Sequence, residues 1–145
     1  MLLADEPTTA LDATVQIQIL LLLRQLQREL GMSIIFVTHD VGVATEIADE
    51  LAVMYAGKIV EIGDVADVIK KPAHPYTQGL LSSTVNSESK GKRLEVIGGS
   101  PPDMSKLFKG CAFSPRCKKV LDQCWHQKPA PESLSTNQTA SCFNI

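Results

Sequence analysis

Two adjacent carboxylates, Asp5 and Glu6, close the short apolar run Met1-Leu2-Leu3-Ala4 and stand directly before Pro7. Side chains alternate along a strand, so neighbouring acids at a strand end point in different directions. One such acid can hold a Mg²⁺, and the next can orient or deprotonate an attacking water. Phosphoryl transfer needs these two tasks, charge neutralisation and water positioning. The plainer alternative is an acid-rich helix N-terminus favoured by the helix dipole. A second candidate is His39 in Val37-Thr38-His39-Asp40, placed to donate a hydrogen bond to a phosphate oxygen, or to serve as an ordinary structural histidine. The third is a set of four cysteines, Cys111, Cys117, Cys124 and Cys142, spaced C-x5-C-x6-C-x17-C, with none in the first 110 residues. That spacing is neither the usual zinc-finger start nor a common ferredoxin run. Four thiolates suit a tetrahedral zinc site or a four-iron cluster, against the alternative of four free thiols. His126 is a spare ligand for zinc, and Trp125 reads as core packing.

The elements that must position these groups follow from the pattern. The strand ending at Ala4 stops at Pro7, which has no N–H for a ladder. Asp12 can cap a helix from Ala13 or Thr14. Val15, Ile19, Leu22, Leu23, Leu26 and Leu30 keep helical spacing, and Gly31 suits the C-cap. Ile34 to Val37 is a buried strand, with Thr38-His39-Asp40 at its C-terminal end. Val41 to Ala48 reads as a short helix. Leu51–Tyr55 and Lys58–Ile62 are strands around an Ala56-Gly57 turn, Val65 to Lys70 is a helix ended by Pro72, and Pro75 opens another to about Leu81. This order predicts an α/β domain with a partly parallel sheet. In a right-handed β-α-β unit both strands deliver their C-terminal ends to one edge, so Asp5, Glu6 and His39 should face a common crevice.

Composition narrows the class. The chain has 145 residues, 44% hydrophobic and 21% charged, with 14 basic and 16 acidic side chains and a net charge of −2. This is ordinary for a folded chain, and no basic excess points to nucleic acid. The run Ile19–Leu23 is five residues long, far short of the roughly 20 that a spanning helix needs. No signal-peptide pattern opens the sequence, so the cysteines are expected in a reducing compartment, where ligation precedes disulfides. Aliphatic residues thin out after Leu81 as the cysteines begin. Three parts are expected: 1–82, a polar linker at 83–93, and a Cys/Pro-rich part at 94–145.

Leu2-Leu3-Ala4-Asp5-Glu6-Pro7, Thr9-Ala10-Leu11-Asp12 and Thr38-His39-Asp40 together resemble the Walker B strand, D-loop and switch-histidine loop of an ABC-transporter ATPase. Met54 to Gly63 resembles the last hairpin of that family. The resemblance implies the C-terminal half of a P-loop NTPase-type ABC ATPase domain, with Asp5 supporting Mg²⁺, Glu6 polarising water, His39 contacting the γ-phosphate of ATP, and Asp12 acting across a dimer interface. No G-x-x-x-x-G-K-[ST] phosphate loop and no Leu-Ser-Gly-Gly-Gln signature occur in the sequence. Both precede the Walker B strand in the family, so the chain is expected to be a truncated form with negligible ATPase activity by itself.

Lys71 to Leu81, Val96 to Pro102 and Gly110 to Cys117 resemble the small C-terminal extension of oligopeptide/dipeptide and nickel importer ATPases. Some members carry an iron–sulfur cluster there, so the resemblance favours [4Fe-4S] over Zn²⁺ at the cysteines, with Arg116, Lys118 and Lys119 placing positive charge beside it. The implied function is an ATP-hydrolysing subunit that couples hydrolysis to uptake of oligopeptides or dipeptides. Implied partners are a second ATPase subunit, transmembrane permease subunits and, indirectly, a periplasmic or extracellular solute-binding protein. The implied location is peripheral, at the cytoplasmic face of the membrane. The alternative is a non-catalytic metal-binding or iron–sulfur regulatory fragment of such a transporter. A helicase-type Asp-Glu box explains neither Ala10-Leu11-Asp12 nor the cysteines.

Overall fold

The computed structural model describes residues 1–83, 96–105 and 108–145. These divide into two compact units, Met1–Ala48 and Asp49–Ile145. Apart from Ser83, the linker expected at 83–93 lies outside the described residues.

The first unit holds β1 (Leu2–Asp5), α1 (Ala13–Leu30), β2 (Ile34–Val37) and α2 (Val41–Ile47). Asp12 caps α1 as its position suggests, with Oδ1 accepting from the N–H groups of Thr14 and Val15, both at 3.0 Å. These are two of the donors that a helix start leaves unpaired. At the other end the Gly31 N–H donates to the Gln27 carbonyl. β1 and β2 pair in parallel, with Leu3 opposite Ile35 and Asp5 opposite Val37. Leu3, Ile35 and Val37 are all exposed. Parallel strands are normally covered on both faces; here Leu3, Ile35 and Val37 leave apolar side chains in solvent beside Asp5.

The second unit is built on an antiparallel sheet of order β3-β4-β6-β5. β3 (Glu50–Tyr55) and β4 (Lys58–Asp64) form the expected hairpin, and β5 (Glu132–Ser135) and β6 (Gln138–Ala140) come from the tail. The Ala56-Gly57 turn takes positive φ at both positions, 49° and 72°, which matches the twist of the flanking strands. β6 docks on β4 through Glu61–Ala140, Ile62–Thr139 and Gly63–Gln138 pairs. At Gly63 a Cβ would collide with the Asn137 carbonyl oxygen, so this close approach requires glycine. α3 (Val65–Lys70) and α4 (Pro75–Ser83) follow β4.

The core of this unit joins hairpin and tail. Val53, Tyr55, Val60, Val68 and Phe113 are buried together, with Tyr76, Leu80 and Ile97 against them. Phe113 meets the Tyr55 ring edge-on at 5.1 Å and the Tyr76 ring at 5.4 Å, arrangements that aromatic rings favour. The tail therefore has an apolar core that it shares with the hairpin. Trp125 takes no part in it: it is 47% exposed, a correction to its reading as a core residue.

One buried carboxylate ties the unit together. Glu61 is fully buried. It accepts from the N–H groups of Ala73 at 2.8 Å and His74 at 2.9 Å, and from Gln138 Nε2 at 2.8 Å. Replacing Glu61 by Gln turns one acceptor into a donor that faces other donors. The expected loss is about 1–3 kcal/mol of unfolding free energy, checked by urea denaturation followed through the single Trp125.

Candidate functional site

The parallel pairing of β1 with β2 brings Glu6 to His39 across 33 residues of sequence. The Glu6 N–H donates to the Val37 carbonyl at 2.9 Å, fastening the end of β1 to β2. Glu6 itself has a φ of +44°, and Ala10 in the same loop +64°. Such left-handed backbone at non-glycine residues costs on the order of 1–3 kcal/mol each. Turn bonds hold the loop, Thr9 N–H to the Glu6 carbonyl at 3.1 Å and Leu11 N–H to the Thr8 carbonyl at 3.3 Å.

The carboxylate is fixed at both oxygens. His39 Nδ1 donates to Oε1 at 2.9 Å, and Thr9 Oγ1 donates to Oε2 at 2.9 Å. The hydrogen bond from His39, with that of Thr9, lowers the pKa of Glu6. The same contact raises that of His39. Asp5 is exposed at the adjacent strand position. Asp12 caps α1 through its Oδ1. Thr38 Oγ1 accepts from the Asp40 N–H at 3.0 Å, and Asp40 in turn caps α2 through the Val43 N–H at 3.2 Å, so the turn carrying His39 is braced on both sides.

The second candidate site is in the tail. Cys111, Cys117, Cys124 and Cys142 line one cavity of about 10 Å³, together with His74 and Lys119. The four are unpaired thiols. Each sulfur meets a backbone N–H: Phe113 and Ser114 toward Cys111, Lys119 to Cys117 at 3.3 Å, Leu121 to Cys124 at 3.5 Å, and Asn144 to Cys142 at 3.3 Å. Burial pushes the thiols of Cys111, Cys117 and Cys142 upward, with the N–H groups acting against it. Among the described residues no three His, Cys, Asp or Glu side chains are arranged to hold a single metal ion. The turns are locked by the Cys111 N–H bond to the Cys124 carbonyl at 2.8 Å. Gly110 sits on that same carbonyl, where a Cβ would collide.

Charge near the sulfurs differs from the sequence expectation. Arg116 is spent on the carbonyls of Gly98 and Ile97, at 2.8 and 3.0 Å, so it clamps the Val96–Gly99 segment. Lys119 is the cation that lines the cavity, its Nζ donating to Gln78 Oε1 at 3.1 Å. His126 is exposed; the histidine that shares the cavity with the cysteines is His74, at the entry to α4. Burial lowers its pKa to about 4, so the ring is neutral near pH 7.

The Glu6–His39 contact yields a pH expectation. A raised histidine contributes stability below its unfolded pKa, and loses it as pH rises through the folded value. The NMR titration midpoint of His39 should lie above the ordinary 6.5 or so, and Glu6→Gln should return it there. A midpoint unmoved by the substitution would break the assignment.

Residues 60–124 match the family model described as the C-terminal region of the oligopeptide/dipeptide transporter. The oligopeptide transport ATP-binding protein OppD of Salmonella typhimurium is 46% identical over 143 residues, which cover 99% of this chain and 42% of that protein. AppD, an oligopeptide transport ATP-binding protein of Bacillus subtilis, is 44% identical, with 99% of the chain and 44% of the relative covered. The dipeptide transport ATP-binding protein DppD of the same organism is 45% identical, covering 99% and 43%. The chain thus spans less than half the length of these relatives. Matched along almost all of its own length, the chain is similar to the C-terminal portion of ATP-binding proteins of oligopeptide and dipeptide transport, and its residues 60–124 carry the C-terminal region of that transporter family.

Proposed function

We propose that the chain supplies the water-activating half of an ATP site in a subunit that drives uptake of oligopeptides or dipeptides. The observation that carries this reading is the carboxylate of Glu6 held by His39 and Thr9 at the end of a parallel strand pair. In a complete subunit Glu6 orients the attacking water and His39, once it leaves Glu6, contacts the γ-phosphate. Asp5 supports Mg²⁺, which neutralises phosphate charge, and Asp12 faces a second ATPase subunit. The open apolar face at Leu3, Ile35 and Val37 suits cover by further ATPase-domain structure. The partners proposed are that second subunit, membrane permeases and, through them, a solute-binding protein. Among the described residues no helix is long and apolar enough to cross a membrane, in keeping with a peripheral place at the cytoplasmic face.

We also propose a [4Fe-4S] group at Cys111, Cys117, Cys124 and Cys142. Four sulfurs on one cavity, each met by a backbone N–H, are a fitting donor set, since such N–H groups offset charge on ligating sulfur. In a four-iron group each of the four thiolates would bind one iron. Bound, the group supplies a cross-link between turns and one-electron redox capacity. A non-catalytic regulatory module remains the second reading, favoured by this convergence of sulfurs.

The 145-residue chain should turn over no measurable ATP, because a phosphate loop is lacking from its sequence. Steady turnover abolished by Glu6→Gln would overturn this. In a subunit that also carries the phosphate loop, Glu6→Gln should cut hydrolysis about 100-fold or more while ATP binding persists. Anaerobic reconstitution of the chain with ferrous iron and sulfide should give broad visible absorption. Cys117→Ser should abolish the absorption and loosen the tail while leaving the Met1–Ala48 unit intact, as read by hydrogen exchange.

A further inference from the structure

His74 is 1% exposed and shares the cavity wall with the four cysteines. Its position is set from three sides. Its backbone N–H donates to Glu61 Oε2 at 2.9 Å, its Nδ1 accepts from the Tyr76 N–H at 3.0 Å, and its ring stands 5.8 Å from that of Phe113. An accepting Nδ1 carries no proton, so the neutral ring bears its single proton on Nε2. The tautomer is therefore written by the helix entry at Pro75. The proposed ATP site makes no use of this ring.

Reduction of a thiolate-bound cluster adds negative charge that gathers on sulfur, and donors aimed at sulfur favour the reduced state. The donors identified at the cysteines are backbone N–H groups, whose direction is fixed by the turns. A side chain on the same wall can supply one more.

We propose that His74 is a positioning residue of the four-cysteine centre, its Nε2–H donating to the sulfur of the loaded group. This rests on the iron–sulfur reading above. It makes the buried Glu61 a second support: by holding the His74 backbone, Glu61 aims the ring.

The test uses the full chain reconstituted anaerobically with ferrous iron and sulfide, as wild type, His74→Asn and His74→Gln. Asn keeps an acceptor for the Tyr76 N–H but has no donor at the Nε2 position; Gln restores an amide N–H near it. Loading is read from visible absorption, and the reduction midpoint from a dithionite titration followed by electron paramagnetic resonance. The expected result is equal loading, a midpoint moved to lower potential in His74→Asn, and a return toward wild type in His74→Gln. Equal loading with an unmoved midpoint in His74→Asn overturns the role of His74 and leaves the cluster standing. The same shift in both variants assigns His74 to packing and also overturns it. A wild-type chain that gains no visible absorption overturns the cluster reading, and the His74 role with it.

Discussion

A carboxylate sealed from water must find donors for its oxygens, and at Glu61 that requirement organises the larger unit. Three donors answer it: two backbone N–H groups at the entry to α4 and the side-chain amide of Gln138 on β6. Gln138 also donates to the Lys71 carbonyl at 3.0 Å. Hairpin, helix entry and tail are thereby held in one polar knot, beside the Tyr55–Tyr76–Phe113 aromatic cluster. An apolar residue at 61 could fill the space, but it would leave the approach of His74 and β6 unspecified. Hydrophobic contact sets how tightly these elements pack; the carboxylate sets where.

The smaller unit shows a different economy of support. Its acid and its histidine depend on a two-stranded parallel pairing and on a loop bent into left-handed backbone at Glu6 and Ala10. Both groups are exposed to solvent, so their contact is screened and weak as a source of stability. It is better suited to orientation. An exposed histidine held by one hydrogen bond can exchange that partner for a phosphate oxygen at small cost.

Local signals in the sequence were strong where one residue type answers one local need. Asp12 before Ala13, Gly31 after Leu30, and Ala56-Gly57 between apolar strands each mark an end or a turn, and the elements form there. The acid–histidine pairing was readable because the handedness of a β-α-β unit leaves few alternatives. The tail strands that complete the sheet of the second unit were not. Gln138-Thr139-Ala140 lacks an alternating apolar pattern, and its pairing with β4 depends on a buried glutamate 77 residues earlier. His74 reads most simply as a helix-entry residue, because nothing local in His74-Pro75 reports that its ring will line a cavity with distant cysteines. Arg116 reads as free charge until Ile97 and Gly98 present their carbonyls to it.

The bare backbone of Gly63 has a consequence for how the sheet ends. A hairpin with an unpaired β4 would present a ladder of open N–H and C=O groups beside Val60 and Ile62, the kind of margin on which chains join to one another. Because glycine at 63 lets β6 come close, the tail caps that margin and moves the boundary of the sheet outward to β5. The new outer strand, Glu132-Ser133-Leu134-Ser135, is four residues long, exposed throughout and preceded by Pro131. Short, polar and charged, it is a poor template for intermolecular pairing. The tail thus replaces β4 as that margin of the sheet with a strand poorly suited to pairing, while β3 forms the other margin.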